Sequence, residues 1–243
     1  MTFGLLCGLL GFVPRSLAQE EWTGISAQHA FDLLQQANSW YYKNETWAMK
    51  IRLTTYAGHE STVVEDESVN LVKRFKTSWY SSVMDVHTIQ DDKTKITVDS
   101  MEKVMLISSS DKRSSVIPMD TLSMALLKSC ASIKLKKLAD GQVMVLQFRK
   151  NPLYDTMEIT IGSDKRFKKL KLFLSVAQPL NPDDEDSPKA KPRLEMTFME
   201  YRTNIAYNEK EFNVSAYIRM DGNTVSTTSA YSQFDLKDTR YKY

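Results

Sequence analysis

Between Trp47 and Met105 the chain carries Trp47-Ala-Met-Lys-Ile-Arg-Leu53, then Val69-Asn-Leu-Val-Lys-Arg-Phe-Lys-Thr-Ser-Trp-Tyr80. Ile96-Thr-Val98 and Val104-Met-Leu-Ile107 follow. In the first run Trp47, Met49, Ile51 and Leu53 share one parity, and Ala48, Lys50 and Arg52 the other. A period of two belongs to a strand whose successive side chains leave opposite faces. Turn chemistry separates such runs along the chain: Ala57-Gly58, Asp91-Asp92, Asp140-Gly141, Gly162-Ser-Asp164 and Asp221-Gly-Asn223. Short strands at this spacing predict an antiparallel sheet. They are expected near 46–56, 61–74, 77–90, 94–99, 103–109, 132–138, 142–149, 155–162, 167–176, 193–204, 211–220 and 225–236.

Upstream, the period changes to that of a helix. Ala27, Ala30, Phe31, Leu34, Ala37 and Tyr41 repeat at helical spacing, Ser26 can cap and Asn44 can stop the run. The opposite face, with Gln28, Asp32, Gln35 and Gln36, lacks the basic residues of a membrane-surface helix. A second, short helix is expected from Pro118 or Asp120 to about Ser129, with Asp120 as cap and Leu122, Ala125, Leu126 and Cys130 as its stripe. The acidic, proline-rich segment at about 179–192 reads as an exposed loop inside one sheet.

Several strands carry apolar side chains on both faces. Met144, Leu146 and Phe148 oppose Val143 and Val145; Leu170, Leu172 and Leu174 oppose Phe173; Leu194, Met196 and Phe198 oppose Met199 and Tyr201. Two apolar faces need two covers. A helix can supply one, and curvature toward a barrel the other. An ordinary tight sandwich core explains the same pattern.

The 243 residues are 42% hydrophobic, enough for one large domain, and 32 basic against 30 acidic residues give no basic block that would suit nucleic acid. Gly4 to Val13 is a short apolar run followed by Pro14 and Ser16-Leu-Ala18, which fits a cleaved export signal over 1–18 ahead of a domain over 19–243. That run is too short to span a bilayer, which takes about 20 apolar residues. Cys7 is lost with it, so Cys130 has no intramolecular partner and reads as a small buried hydrophobe. The histidines His29, His59 and His87 stand at no tight ligand spacing. No nucleophile elbow and no phosphate-binding glycine loop is present, so the sequence points to no enzyme and to no metal or other cofactor.

The order of these features resembles the outer-membrane lipoprotein-carrier (LolA/LolB-like) family. There an export signal and an amphipathic helix precede an aromatic-bearing strand, a strand ending in a Val-Lys-Arg-like triplet, and a second aromatic strand. Here these are Ser26 to Lys43, Trp47 to Leu53, Val72-Lys73-Arg74, and Phe75 to Tyr80. Met157 to Leu172 resembles the family's late hairpin, and Leu194 to Asn204 with Phe212 its close. Ser100 and Met101 depart from the glycine usual in the intervening hairpin, Met105 and Ile107 replace its aromatic pair, and no proline follows Arg74. Those departures suit a divergent member.

The resemblance implies an α+β fold, a curved antiparallel sheet forming an incomplete, half-open β-barrel, with the N-terminal helix and the second short helix covering the hollow. It implies a periplasmic carrier or chaperone whose partners are acyl chains of lipoproteins or lipids, with no membrane span. Trp47, Met49, Ile51, Leu53, Trp79, Met105 and Phe198 are the expected lining. The family's triplet arginine holds the lid through backbone carbonyls, which transfers to Arg74 as an expectation. A different class of function suits the same residues: a structural or interaction subunit of a cell-envelope assembly, docking an envelope protein partner through edge strands and the aromatic tail Tyr231, Phe234, Tyr241 and Tyr243.

Overall fold

The computed structural model describes residues 21–110, 122–179, 187–222 and 224–240. The expected signal, the Pro118 and Asp120 helix start, residues 180–186 of the acidic loop, and Tyr241 and Tyr243 lie outside them. Strand β1 (Thr23–Gly24) leads into helix α1 (Ala27–Lys43). Ser26 caps α1, its side chain accepting from the His29 N–H. Six strands follow: β2 (Thr46–Tyr56), β3 (Val64–Phe75), β4 (Ser78–Val83), β5 (Val86–Gln90), β6 (Thr94–Asp99) and β7 (Val104–Ser109). Helix α2 (Met124–Lys128) precedes β8 (Cys130–Leu138), β9 (Gly141–Phe148), β10 (Tyr154–Gly162) and β11 (Phe167–Leu174). The short β12 (Gln178–Pro179) pairs with β13 (Lys189–Ala190) at the base of the acidic loop, and β14 (Arg193–Thr203) returns to the sheet. Last come the hairpin β15 (Ile218–Asp221) and β16 (Thr224–Thr227), and β17 (Asp235–Asp238).

One 13-stranded sheet runs in the order β1-β8-β9-β10-β11-β14-β2-β3-β4-β5-β6-β7-β17. Its two ends do not pair, so the curved sheet stays open. All ladders are antiparallel except β17, which lies parallel to β7. Gly141 closes the β8–β9 turn at φ +133, where an added Cβ would collide with the Ile161 carbonyl.

Four expected elements differ. The run 77–90 is a hairpin rather than one strand, because Met84 takes φ 50 and turns the chain without glycine. Residues 211–220 form strand only from Ile218. Two 3-10 helices, Glu209–Phe212 and Val214–Ala216, replace its first half, with the Asn208 and Asn213 side chains accepting from Lys210 and Ser215 N–H groups. The expected strand over 225–236 is two strands, β16 and β17, separated by the turn Ser229–Tyr231. The short helix α2 begins later than expected and is capped by Ser123.

The register decides where the cores sit. Partners directly opposite in a ladder share a face. Trp47 pairs with Arg74, Arg74 with Trp79, Trp79 with Gln90, Gln90 with Lys95, and Lys95 with Ser108. The face that carries Trp47 and Met49 on β2 therefore carries Lys95, Thr97 and Asp99 on β6, and Ser108, Leu106 and Val104 on the β7 edge. The apolar stripe Ile96, Val98, Met105 and Ile107 points the other way. Two cores result, on opposite faces of one sheet. The first joins Trp47, Met49, Ile51, Val72, Met144, Ile159 and Leu170 to the α1 stripe Ala30, Leu34, Ala37 and Tyr41, with Leu127 of α2 and Cys130. The second joins Ile96, Val98, Met105 and Ile107 to Ile218, with Tyr217, Tyr231, Phe234 and Leu236 packed around them. We refer to these as the helix face and the tail face.

Candidate functional site

Six of the seven expected lining residues share the helix face. Trp47, Met49, Ile51 and Leu53 alternate along β2, Phe198 opposes Ile51, and Trp79 is linked to Trp47 through Arg74. Met105 does not join them. It pairs with Val98 on the tail face and is sealed under the C-terminal segment. The reason is parity: the hairpin registers from β3 to β7 hold Met105 opposite to Trp47.

The helix face is filled where α1 crosses it. Trp47 is 0% exposed, Met49 1% and Ile51 5%. Leu53, Leu172, Leu194, Met196 and Phe198 continue the same face and are half-buried, forming an apolar fringe beside the helix. The C-terminal end of α1 rests on aromatic rings. Tyr41 stacks on Phe167 at 5.8 Å, Trp40 meets Tyr201 edge-on at 4.2 Å, and Trp47 lies against Trp79 at 5.4 Å. Burial pushes the Tyr41 hydroxyl strongly upward against the opposing pull of a backbone hydrogen bond from Phe167; burial does the same to Tyr201. Both stay neutral hydroxyls.

Arg74 sits where α1 ends. Its Nη1 donates to the Tyr41 carbonyl at 2.9 Å and its Nε to the Lys76 carbonyl at 2.8 Å. The guanidinium lies over Trp79 at 5.2 Å and Tyr42 at 5.4 Å. The indole Nε1 of Trp47 donates to the same Tyr41 carbonyl at 2.9 Å. Two sheet residues thus hold one of the carbonyls that a helix C-terminus leaves without an intrahelical partner. Arg166 supports the other flank, over Trp40 at 5.1 Å and Tyr201 at 5.5 Å, while its Nε donates to Asp164 at 2.6 Å. Burial raises the Asp164 carboxyl, but hydrogen bonds from Lys168 and Arg166 outweigh it and bring it down to about 2.

Not every polar atom at this contact is satisfied. Asn38 Oδ1 on the buried stripe of α1, Asn70 Oδ1 on the helix face of β3, and the Tyr201 hydroxyl are buried without a hydrogen-bond partner. Each such atom costs about 1–3 kcal/mol. The sequence reading missed these three. Asn38 was visible in the sequence as a polar break in an apolar stripe; the Tyr201 position depends on a β-bulge between Met199 and Arg202 that no local residue announces.

Two clefts flank that bulge. One of about 230 Å³ opens on the helix side between Tyr41, Met49, Phe167, Phe198 and Tyr201, with Arg166, Lys168 and Glu200 at its mouth. Another of about 310 Å³ lies around Ala48, Lys50, Leu71 and Lys73, walled by Ile205 and Tyr207. Among the described residues no cluster of His, Cys, Asp and Glu has the geometry to hold a metal ion. Cys130 is buried and burial raises its thiol, so it is a packing residue and a poor nucleophile. Among the described residues no helix is long and apolar enough to cross a membrane.

No protein-family model and no curated protein sequence matches this chain. Solved structures are similar to it at low identity. An uncharacterized conserved protein from Thermus thermophilus overlaps 86% of this chain and 100% of its own at 12% identity, TM-score 0.47. A LolA superfamily protein from Nitrosomonas europaea overlaps 78% of this chain and 98% of its own at 10% identity, TM-score 0.35. An outer membrane lipoprotein-sorting protein domain from Vibrio parahaemolyticus overlaps 76% of this chain and 98% of its own at 10% identity, TM-score 0.33. TM-scores below 0.5 carry no function across; the strand order and the register above define this fold by themselves.

Proposed function

We propose that this protein is an exported carrier that shelters acyl chains of lipoproteins or lipids on the helix face, with α1 as a cover that lifts. The observation that carries this reading is the set of unpartnered polar atoms at the α1 contact, Asn38 Oδ1 and the Tyr201 hydroxyl above all. A permanent core has no reason to keep them, whereas lifting α1 lets water reach both and lowers the cost of opening. The half-buried fringe Leu53, Leu172, Leu194, Met196 and Phe198 extends the apolar surface beyond the helix footprint. A chain laid there gains about 0.8 kcal/mol per buried CH2. The closed cleft, about 230 Å³, is smaller than the roughly 300–1,000 Å³ of preformed ligand sites, so loading requires the cover to move. Arg74 and Trp47, both bonded to the Tyr41 carbonyl, are the latch in this reading. Export to the periplasm and a single domain after the signal belong to the same proposal.

A second reading is favoured by one observation. The helix face is filled by Trp47, Met49 and Ile51 in this state, as it would be in a non-enzymatic interaction subunit that reuses the fold without a ligand. Native mass spectrometry of the mature protein purified from cells, followed by lipid extraction, separates the two. Bound acyl chains that disappear in Leu53→Glu support the carrier. A ligand-free protein that co-purifies with an envelope protein sinks it in favour of the subunit.

A further inference from the structure

We propose that the larger cleft, on the face away from α1, is a binding site for a phosphate-bearing group. Its floor is set by the register. Arg202 on β14, Ala48 on β2 and Lys73 on β3 stand in one row, since Arg202 pairs with Ala48 and Ala48 with Lys73. Strands lie about 4.8 Å apart, so the two cations flank the small Ala48 side chain at backbone positions about 10 Å apart. Lys50, two residues along β2, points to the same side. Three cations therefore surround a notch whose base is a methyl group, with Leu71 beside it.

The wall is fixed. Tyr207 donates its hydroxyl to the Trp47 carbonyl at 3.0 Å, and burial pushes that hydroxyl up to about 12, so it remains a donor. Lys73 lies over the Tyr207 ring at 5.7 Å. Two carboxylates meet these cations: Glu200, which itself lines the cleft and pairs with Lys50 at 2.8 Å, and Glu211, which pairs with Lys73 at 2.9 Å. The Lys50 pair is solvent-exposed, and the Lys73 pair is open to solvent on its Glu211 side; exposed pairs are worth about 0–1 kcal/mol, so Lys50 above all can turn to a stronger anion at little cost. Arg202 is exposed and brings the planar fork suited to two phosphate oxygens. The β-bulge that aims Arg202 holds Glu200 at φ 44, a conformation uncommon for a residue with a side chain. The cleft volume, about 310 Å³, admits a phosphate ester with a short organic body.

This site is independent of the acyl proposal, because it lies on the other side of the sheet. Glycerol 3-phosphate titrated into the mature protein by calorimetry, and vesicles of phosphatidylglycerol in phosphatidylcholine tested by co-sedimentation, probe the two sources of such a group. Glycerol 3-phosphate binding that falls about tenfold or more in Arg202→Gln and in Lys73→Gln marks a site for a soluble phosphate ester. Vesicle binding with the same dependence, and none to glycerol 3-phosphate, marks a lipid head group. Leu53→Glu, aimed at the helix face, leaves glycerol 3-phosphate binding unchanged. Binding of neither probe, or binding indifferent to Arg202→Gln and Lys73→Gln, overturns the proposal.

Discussion

The two cores differ in how their covers are held. On the helix face the amphipathic helix α1 spans the sheet with the short α2 beside it, and polar atoms at this contact go unpaired. On the tail face the cover is a wrapped segment, and its hydroxyl groups are used: Tyr217 and Tyr231 share a hydrogen bond, and Thr239 donates to the Ile107 carbonyl through both its N–H and its hydroxyl at 2.8 Å. One sheet thus carries one cover over unpaired polar atoms and another under which, among the described residues, none is left. The difference teaches that two equally buried covers can differ in how completely their polar atoms are paired.

That contrast can be broken by experiment. The largest effects come from emptying either core. Trp47→Ala should lower unfolding free energy by about 3–5 kcal/mol and Ile107→Ala by about 2–5 kcal/mol, read from urea midpoints. Only Trp47→Ala should speed amide exchange along α1. Equal acceleration in both would make the cores one cooperative unit and dissolve the distinction.

Next in size, Asn38→Leu removes an unpaired carbonyl and should stabilise the closed state by about 1–3 kcal/mol while reducing the acyl load recovered from cells. A destabilised variant would mean Asn38 is satisfied in solution. A smaller effect has opposite signs on the two faces. Tyr201→Phe should stabilise by about 1 kcal/mol, and Tyr217→Phe should destabilise by about 0.5–1.5 kcal/mol, because only the second hydroxyl has a partner. Matching signs would refute the comparison.

The smallest is a pH effect at the α1 flank. Asp164 has its folded carboxyl at about 2, below its unfolded value near 3.8. A depressed acid contributes stability that is present above the unfolded value and is lost as pH falls from about 4 through about 2. Asp164→Asn should flatten that limb of the acid unfolding curve. The effect is modest because solvent reaches the group. An unchanged acid limb would remove Asp164 from the supports of Arg166.

Much of this was legible in the chain. The Ser26 cap and the stripe from Ala30 to Tyr41 place α1, and strands over 46–56 and 94–99 match to the residue. Trp47, Met49, Ile51, Leu53 and Phe198 group together because their parity on β2 and β14 is local. Met105 stands apart because its face depends on counting through five successive strand pairings, including the Met84 turn, which carries no glycine to announce it. The 3-10 segments at Glu209–Phe212 and Val214–Ala216 were hidden by apolar spacing that also suits a strand, although Asn208 and Asn213 are cap residues that argue against one. The bulge at Glu200 and Tyr201, which shapes both clefts, has no local signature and follows from the fit of β14 against β2.

The placement of β17 against β7 has a kinetic consequence. Strand β7 ends at Ser109 and its neighbour begins at Asp235, so 125 residues separate the finished edge from the strand that covers it. At chain growth of about 5–20 residues per second, that edge and the apolar stripe Ile96, Val98, Met105 and Ile107 wait about 6–25 s for their cover. An uncovered edge beside bare apolar surface is a template for pairing with other chains. The vulnerable moment of this protein therefore falls during its production, and a chain cut short before Asp235 would stay in that moment permanently.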